Sequence, residues 1–438
     1  MSHLMKPTPY FFISLLFWLL LSVLAIFHVI WLFYWVVFGS ILFLFALYDL
    51  WQVSRLPHLK AQRQVAGSLA LNVQYEVTLI FHNTTQLKYV INVFDDYPVE
   101  CDFKGLLQRL TLPAKSSVEM RYHIQPQQRG KLVFNGIFVF VQSPWSLWQY
   151  KQVLPVTTTI YVYPNFAEVT KYALFAIENR LGQLGIRQLQ RRGEGLEFHQ
   201  LREYRTGDSL RQISWTATSR LKKLISKEYQ DERDQRVVFL LDCGRRMLAK
   251  DGQLSHFDHA LNAILLLSYV ALRQGDALGL LTFSGEQRWL APRKGLDSLN
   301  RILNTVYDLQ PSLHTSDYLN AATQLIARHN RRSLIVVVSN LRDEDSDELL
   351  PALKLLRKKH LVLLASLQEN SLTEVLNQPI HHFKDALRHA SMQTYLNQRE
   401  KAHEALHQHG IIYIDTLPEQ LPVEMVNRYL EIKKSGRL

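Results

Sequence analysis

The chain has 438 residues, too many for one ordinary core and enough for two folded domains plus an anchor. Its formal net charge of +11 calls for an anionic counterpart: lipid headgroups, nucleic acid or an acidic protein. Two cysteines, Cys101 and Cys243, with no CxxC and no Cys/His zinc spacing, exclude a disulfide scaffold and fit a reducing compartment.

From residue 7 to residue 48 there is no charged side chain. A spanning helix needs about 20 residues, so this run of about 42 predicts two spans, at 10–27 and 30–50, turning near His28. Trp31, Tyr34, Trp35 and Tyr48 suit membrane interfaces. A signal peptide fits poorly, because the apolar run is too long and Ala25-Ile26-Phe27 is no cleavage site. Lys6 precedes the hairpin, Arg55, Lys60 and Arg63 follow it, and the turn has no Lys or Arg. That bias places both ends in the cytoplasm of a bacterial inner membrane, as a multi-pass anchor with its soluble domains on the cytoplasmic side.

Between residues 66 and 165 the apolar period shifts to two. Strands are expected at 75–81, 89–93, 118–124, 132–141 and 159–163, separated by Asn83-Thr84-Thr85, Asp95-Asp96-Tyr97-Pro98, Arg129-Gly130 and Asn135-Gly136. Short alternating strands at this spacing predict a small β-sandwich, a packing or binding module without catalytic residues.

Residues 166–236 form a charged connector. Within it stand Arg202-Glu203-Tyr204, Gly207-Asp208, Arg211, Ile213 and Trp215. Arginines beside aromatics can stack and fork onto carboxylates or phosphates, so Arg202, Glu203, Asp208, Arg211 and Trp215 are candidate partner-binding residues. Acidic and basic residues are nearly balanced here, so a solvated, internally salt-bridged linker is the plainer reading.

From residue 237 strand and helix alternate. Strands are expected at 237–242, 278–283, 334–340, 361–367 and 411–415, with a helix at 260–272. The run ending in Asp242 is apolar throughout, as a parallel strand covered on both faces must be. The pattern predicts an α/β fold, a doubly wound sheet with functional residues at the strand ends.

The Arg202–Trp215 spacing resembles the signature of the domain-of-unknown-function 58 family. The tail Asn427-Arg428-Tyr429-Leu430-Glu431-Ile432-Lys433 is similar to that family's C-terminus. The resemblance implies the same order of parts: tail 1–9, transmembrane hairpin 10–51, linker 52–65, β-module 66–165, connector 166–236 and a von Willebrand factor A-like domain 237–438. It also implies a non-enzymatic adaptor working beside a MoxR-type AAA+ ATPase.

In von Willebrand factor A domains a divalent ion is held at the strand ends by Asp-x-Ser-x-Ser with a Thr and an Asp from other loops. Here the first motif reads Asp242-Cys243-Gly244-Arg245-Arg246, so both hydroxyls are lost, and Asn340 stands at the distal acid position. Ser316-Asp317 matches the Thr-Asp loop. Mg²⁺ wants near-octahedral oxygen ligands, so the site is expected to be degenerate, with no cofactor. Arg246 is expected to supply a fixed positive charge against Asp242 or Asp317 in place of the ion. Asp242, Arg246, Ser316 and Asp317 are then expected to form the strand-end face that binds a protein partner, while the connector fixes the α/β domain against the β-module or forms a second contact.

Two rival readings remain. His403-Glu404-Ala405-Leu406-His407 matches the H-E-x-x-H zinc hydrolase pattern, although Tyr413 stands where the longer motif has a third histidine. The basic surface could instead bind a polyanion or lipid headgroups. No phosphate-binding loop, nucleophile elbow or common nucleic-acid module is present.

Overall fold

The structure is a computed structural model. It describes residues 5–25, 29–54, 59–86, 88–106, 108–165, 197–205, 210–230, 235–341, 346–369 and 379–437. It divides into two compact units, Met1–Tyr163 and Pro164–Leu438.

The first unit opens with a short strand, β1 (Met5–Pro7), and two apolar helices, α1 (Pro9–Ala25) and α2 (Val29–Ser54). The expected turn residue His28 lies outside the described residues. Over Trp31–Gln52, α2 is long and apolar enough to cross a membrane, and almost none of that stretch is buried by the protein itself. The helices pair through Trp18 and Trp35. Their rings stack with centroids 4.6 Å apart, and each indole N–H donates to the other residue's carbonyl, at 3.2 and 3.0 Å. This leaves neither of these two indole donors orphaned in an apolar surround. Gly39 permits the approach, because a Cβ there would come within 2.5 Å of the Trp18 ring.

Eleven further strands complete this unit: β2 (Lys60–Gln64), β3 (Ser68–Ala70), β4 (Tyr75–His82), β5 (Tyr89–Asp95), β6 (Cys101–Lys104), β7 (Gln108–Leu112), β8 (Ser117–Pro126), β9 (Gly130–Phe134), β10 (Ile137–Gln142), β11 (Trp148–Leu154) and β12 (Thr158–Tyr163). They form sheets ordered β1-β11-β10-β5-β7, β2-β4-β8-β6 and β3-β12-β9. The period-two pattern is realised: Val77, Leu79 and Phe81 of β4 are fully buried while the residues between them are not. Asn135-Gly136 does not close a hairpin. It carries the chain from β9 in one sheet to β10 in another, so the strand expected at 132–141 is two strands. The expected linker 52–65 is also corrected, because β2 is an integral strand paired with β4. Its Arg63 is buried, donating to Asp95 through Nε at 3.0 Å and through Nη2, and to the Val156 carbonyl at 2.7 Å. Tyr122 donates to the same carboxylate. Arg63, read from the sequence as a membrane-flanking charge, spends that charge inside the fold.

The hairpin is tied to these sheets. Thr8 N–H donates to Leu147 O at 2.9 Å, and Trp148 Nε1 donates to Ala46 O at 3.0 Å. The Phe45 and Trp145 rings stack, and β1 pairs with β11. The residue before α1 and the last turns of α2 therefore contact the same loop, Trp145–Trp148.

The second unit begins with an antiparallel pair, β13 (Glu197–Glu203) and β14 (Ile225–Gln230), bridged by a short helix, α3 (Trp215–Leu221). Its main sheet comprises β15 (Arg236–Asp242), then, after the two-residue pair β16 (Lys250–Asp251) and β17 (Leu254–Ser255), β18 (Ala277–Phe283), β19 (Trp289–Arg293), β20 (Leu334–Ser339), β21 (Leu361–Leu367) and β22 (Ile412–Thr416). Strand order is β19-β18-β15-β20-β21-β22, parallel except for the edge strand β19. Alternate residues of β15 serve opposite faces. Val237, Phe239 and Leu241 pack with α4 (His256–Arg273), α5 (Asp297–Val306) and α9 (Leu421–Lys434). Val238 and Leu240 pack with α6 (Tyr318–Arg328) and α7 (Ser346–Arg357), joined by Leu406 of α8 (Phe383–Gln408). Helix α4 starts at His256, ahead of the expected residue 260, because Ser255 and Asp258 form a reciprocal capping box.

Candidate functional site

Asp242 ends the central strand β15 and has no exposed surface. Its Oδ1 accepts the Gly244 N–H at 2.8 Å. Its Oδ2 accepts the hydroxyls of Ser316 and Ser339, each at 2.7 Å. Ser339 closes the neighbouring strand β20 and also meets Tyr318 Oη at 2.9 Å. Burial raises the Asp242 pKa above the usual carboxylate range, against the opposing pull of these donors. Burial, with the Asp242 charge adding to it, pushes the Tyr318 phenol up to about 12.

Both carboxylate oxygens thus accept from protein donors. Gly244 is required by close approach: a Cβ there would meet Ser316 Oγ at 2.6 Å, Asp242 Oδ1 at 3.0 Å and the His314 carbonyl at 3.1 Å. Of the residues expected at this face, the structure joins Asp242 to Ser316. Asp317 is exposed and caps α6, its Oδ1 accepting the Asn320 N–H at 2.9 Å. Arg246 is half-buried on the turn Arg245–Leu248. Asn340 turns away from Asp242, placing Nδ2 3.1 Å from His256 Nδ1, and His256 Nε2 lies 2.7 Å from Asp251 Oδ2.

Sequence reasoning passed over Ser339 as a donor to Asp242, although a hydroxyl ending an apolar strand beside β15 is a usable signal. It missed Arg399 altogether. This buried guanidinium donates to Leu341 O at 2.6 Å, Ser366 Oγ at 2.8 Å and Leu367 O at 3.0 Å, and to both Asp415 oxygens. It is a fixed cation on strand ends β20–β22. Nothing in its local sequence separates it from a solvent-facing helical arginine.

The connector residues occupy the β13–β14 pair and its helix. Arg202 and Glu203 lie at the end of β13, and Glu203 pairs with Lys223 at 2.9 Å. That partner holds the Glu203 carboxyl below, and the Lys223 ammonium above, their ordinary ranges. Arg211 lies on the turn Leu210–Gln212, and Asp208 lies outside the described residues. Trp215 is 69% exposed on α3, a helix with no buried residue. Leu201, Leu210, Leu221 and Leu224 are also exposed.

Residues 200–401 match the model of a family described as "Protein of unknown function DUF58". The match spans a little under half of the chain. No curated protein matches it. Among solved structures, an aerotolerance-related membrane protein from Bacteroides fragilis is 18% identical over 45% of this chain and 98% of its own, with a TM-score of 0.28. Salmonella alpha-2-macroglobulin is 13% identical over 24% of this chain, with a TM-score of 0.20, and the match spans 7% of that chain. A FixG-related protein from Vibrio parahaemolyticus is 11% identical over 24% of this chain and 94% of its own, with a TM-score of 0.18.

The H-E-x-x-H segment lies in the last turns of α8. His407 is exposed, and the His403 side chain lies outside the described residues. Among the described residues, no group of three or more His, Cys, Asp or Glu side chains could hold a metal ion.

Proposed function

We propose that this protein is a membrane-tethered, non-enzymatic adaptor that docks a protein partner on its signature hairpin. The observation that carries the reading is α3, a helix that buries none of its residues and presents Trp215, with Leu210, Leu221 and Leu224 exposed near it in sequence. A folded chain gains nothing from displaying a tryptophan and three leucines to water, and such residues are typical anchors of an interface. Lys222 and Arg220 around them favour an acidic counterpart. By family resemblance that partner is a MoxR-type AAA+ ATPase.

The tether is the α1–α2 hairpin in a bacterial inner membrane. That its two outer ends meet one loop supports placing both on one side, and Lys6 and Arg55 favour the cytoplasm. The strand order and the helices on both faces support a von Willebrand factor A-like domain. The protein donors on the Asp242 carboxylate support one that works without Mg²⁺.

Affinity purification from gently solubilised membranes, with crosslinking and mass spectrometry, tests this. An AAA+ ATPase that co-purifies with wild type and is lost from Trp215→Ala and Leu221→Ala supports the adaptor. Retention of the same partner by both variants removes the signature hairpin from the interface. Stoichiometric zinc in place of any partner, lost on His407→Ala, would install the hydrolase instead.

A further inference from the structure

Helix α8 is anchored at one end only. Leu406 enters the core, and Arg399 is fixed to the strand ends by the bonds described above. From Phe383 to Gln398 no residue of the helix is buried. On this free half Phe383 is 84% exposed and Leu387 58%, with Ile380 just ahead at 54%. Phe383, Leu387 and exposed Ala390 recur at helical spacing and make one apolar stripe. Lys384 and Arg388, one residue further on, make a parallel basic stripe about 100° around the helix.

Asp385 is the one acid between residues 380 and 398. Its Oδ2 accepts the His381 and His382 N–H groups, at 3.4 and 3.0 Å, and so closes the helix N-terminus. The free half is therefore apolar on one stripe and cationic beside it.

We propose that this half of α8 lies on an anionic bilayer, with Phe383 and Leu387 entering below the headgroups and Lys384 and Arg388 reaching phosphates. Long basic side chains flanking an apolar stripe suit that boundary, because their stems lie along acyl chains while their heads stay hydrated. The proposal rests on the membrane-tether reading, since a tether keeps a bilayer at high effective concentration for every surface of the chain.

The test uses the full chain. Cys101 and Cys243 are buried, so Ala390→Cys directs a polarity-sensitive fluorophore to one exposed position beside Phe383 and Leu387. The labelled protein is reconstituted in nanodiscs of phosphatidylcholine alone or with added phosphatidylglycerol. Blue-shifted emission in the anionic discs only, abolished by K384E/R388E and by F383S/L387S, is the expected result. Equal emission in both lipids, survival of the shift after charge reversal, or a shift that needs added soluble extract each overturns it. Disc incorporation is read separately by co-elution with the scaffold protein. If the chain does not incorporate, the tether reading fails, and flotation of the same labelled chain with anionic vesicles decides the α8 proposal: charge-dependent binding sustains it and absence of binding ends it.

Discussion

Gly244→Ser restores a hydroxyl that an ion-binding strand end would carry, and the geometry says it should do harm. The new Cβ would stand 2.6 Å from Ser316 Oγ, well inside contact distance. Either the loop shifts, an overpacking strain of about 1–3 kcal/mol, or Ser316 moves and its bond to the Asp242 carboxylate is lost, about 1.5–3 kcal/mol. The two are alternatives and the cheaper is taken, so the net cost is about 1–3 kcal/mol. At about 1.4 kcal/mol per factor of ten, protection of the core amides of β15 should fall roughly 5- to 140-fold. Hydrogen exchange resolved by mass spectrometry on detergent-solubilised protein measures this, and Gly244→Ala should show the same loss, because the Cβ rather than the hydroxyl is responsible. Unchanged exchange in Gly244→Ser together with Mg²⁺ binding by calorimetry would refute the closed-site reasoning. The double variant Gly244→Ser/Arg246→Ser should likewise gain no Mg²⁺ affinity.

Two further outcomes follow from buried charge. Asp276 has no exposed surface and accepts Lys433 Nζ at 2.8 Å and the Tyr429 hydroxyl, so Asp276→Ala should cost about 3–5 kcal/mol by leaving Lys433 unpaired, read as lost exchange protection in α9. Burial, aided by the nearby charges of His329 and Lys359, pushes the His360 pKa down to about 4 from an ordinary 6.5. A depressed histidine stabilises the fold fully above its ordinary value and loses that stabilisation as pH falls toward the folded one. The second unit should therefore weaken between pH 6.5 and pH 4. His360→Leu should blunt that loss, because neither ring nitrogen has a hydrogen-bond partner among the described residues; identical acid unfolding in both proteins would count against this.

The α/β unit was legible because its strands are buried on both faces. Continuous apolar runs such as Val237–Leu241 admit few other readings, and strand ends came within two residues. Less legible were elements whose residues mix signals. Lys60–Gln64 has one apolar residue, Ala61, among charged and polar ones, yet it pairs as a strand and its Arg63 finds Asp95 across the fold, a partner that no local window contains. The antiparallel edge β19 carries Pro292 and half-exposed residues, so its pattern is that of a loop. The site divided the same way. Asp242 and Ser316 were recognisable from motif position, while Ser339 is brought in by strand adjacency and Tyr318 and Arg399 by helices packed at the strand ends, which periodicity does not encode.

That division bears on how the candidate residues can act. A residue that contributes directly to binding must exchange water for partner, and Asp242 has no water to lose. Its three donors come from the end of its own strand, the loop before α6 and the end of β20. Any influence on a partner is then positional, exerted through the loops it joins. Trp215 stands at the opposite limit, exposed on a helix that contributes nothing to the core. Changing it should alter what binds without altering what folds. On the proposed reading the strand-end carboxylate holds the frame, and the signature hairpin is the part offered to a protein partner.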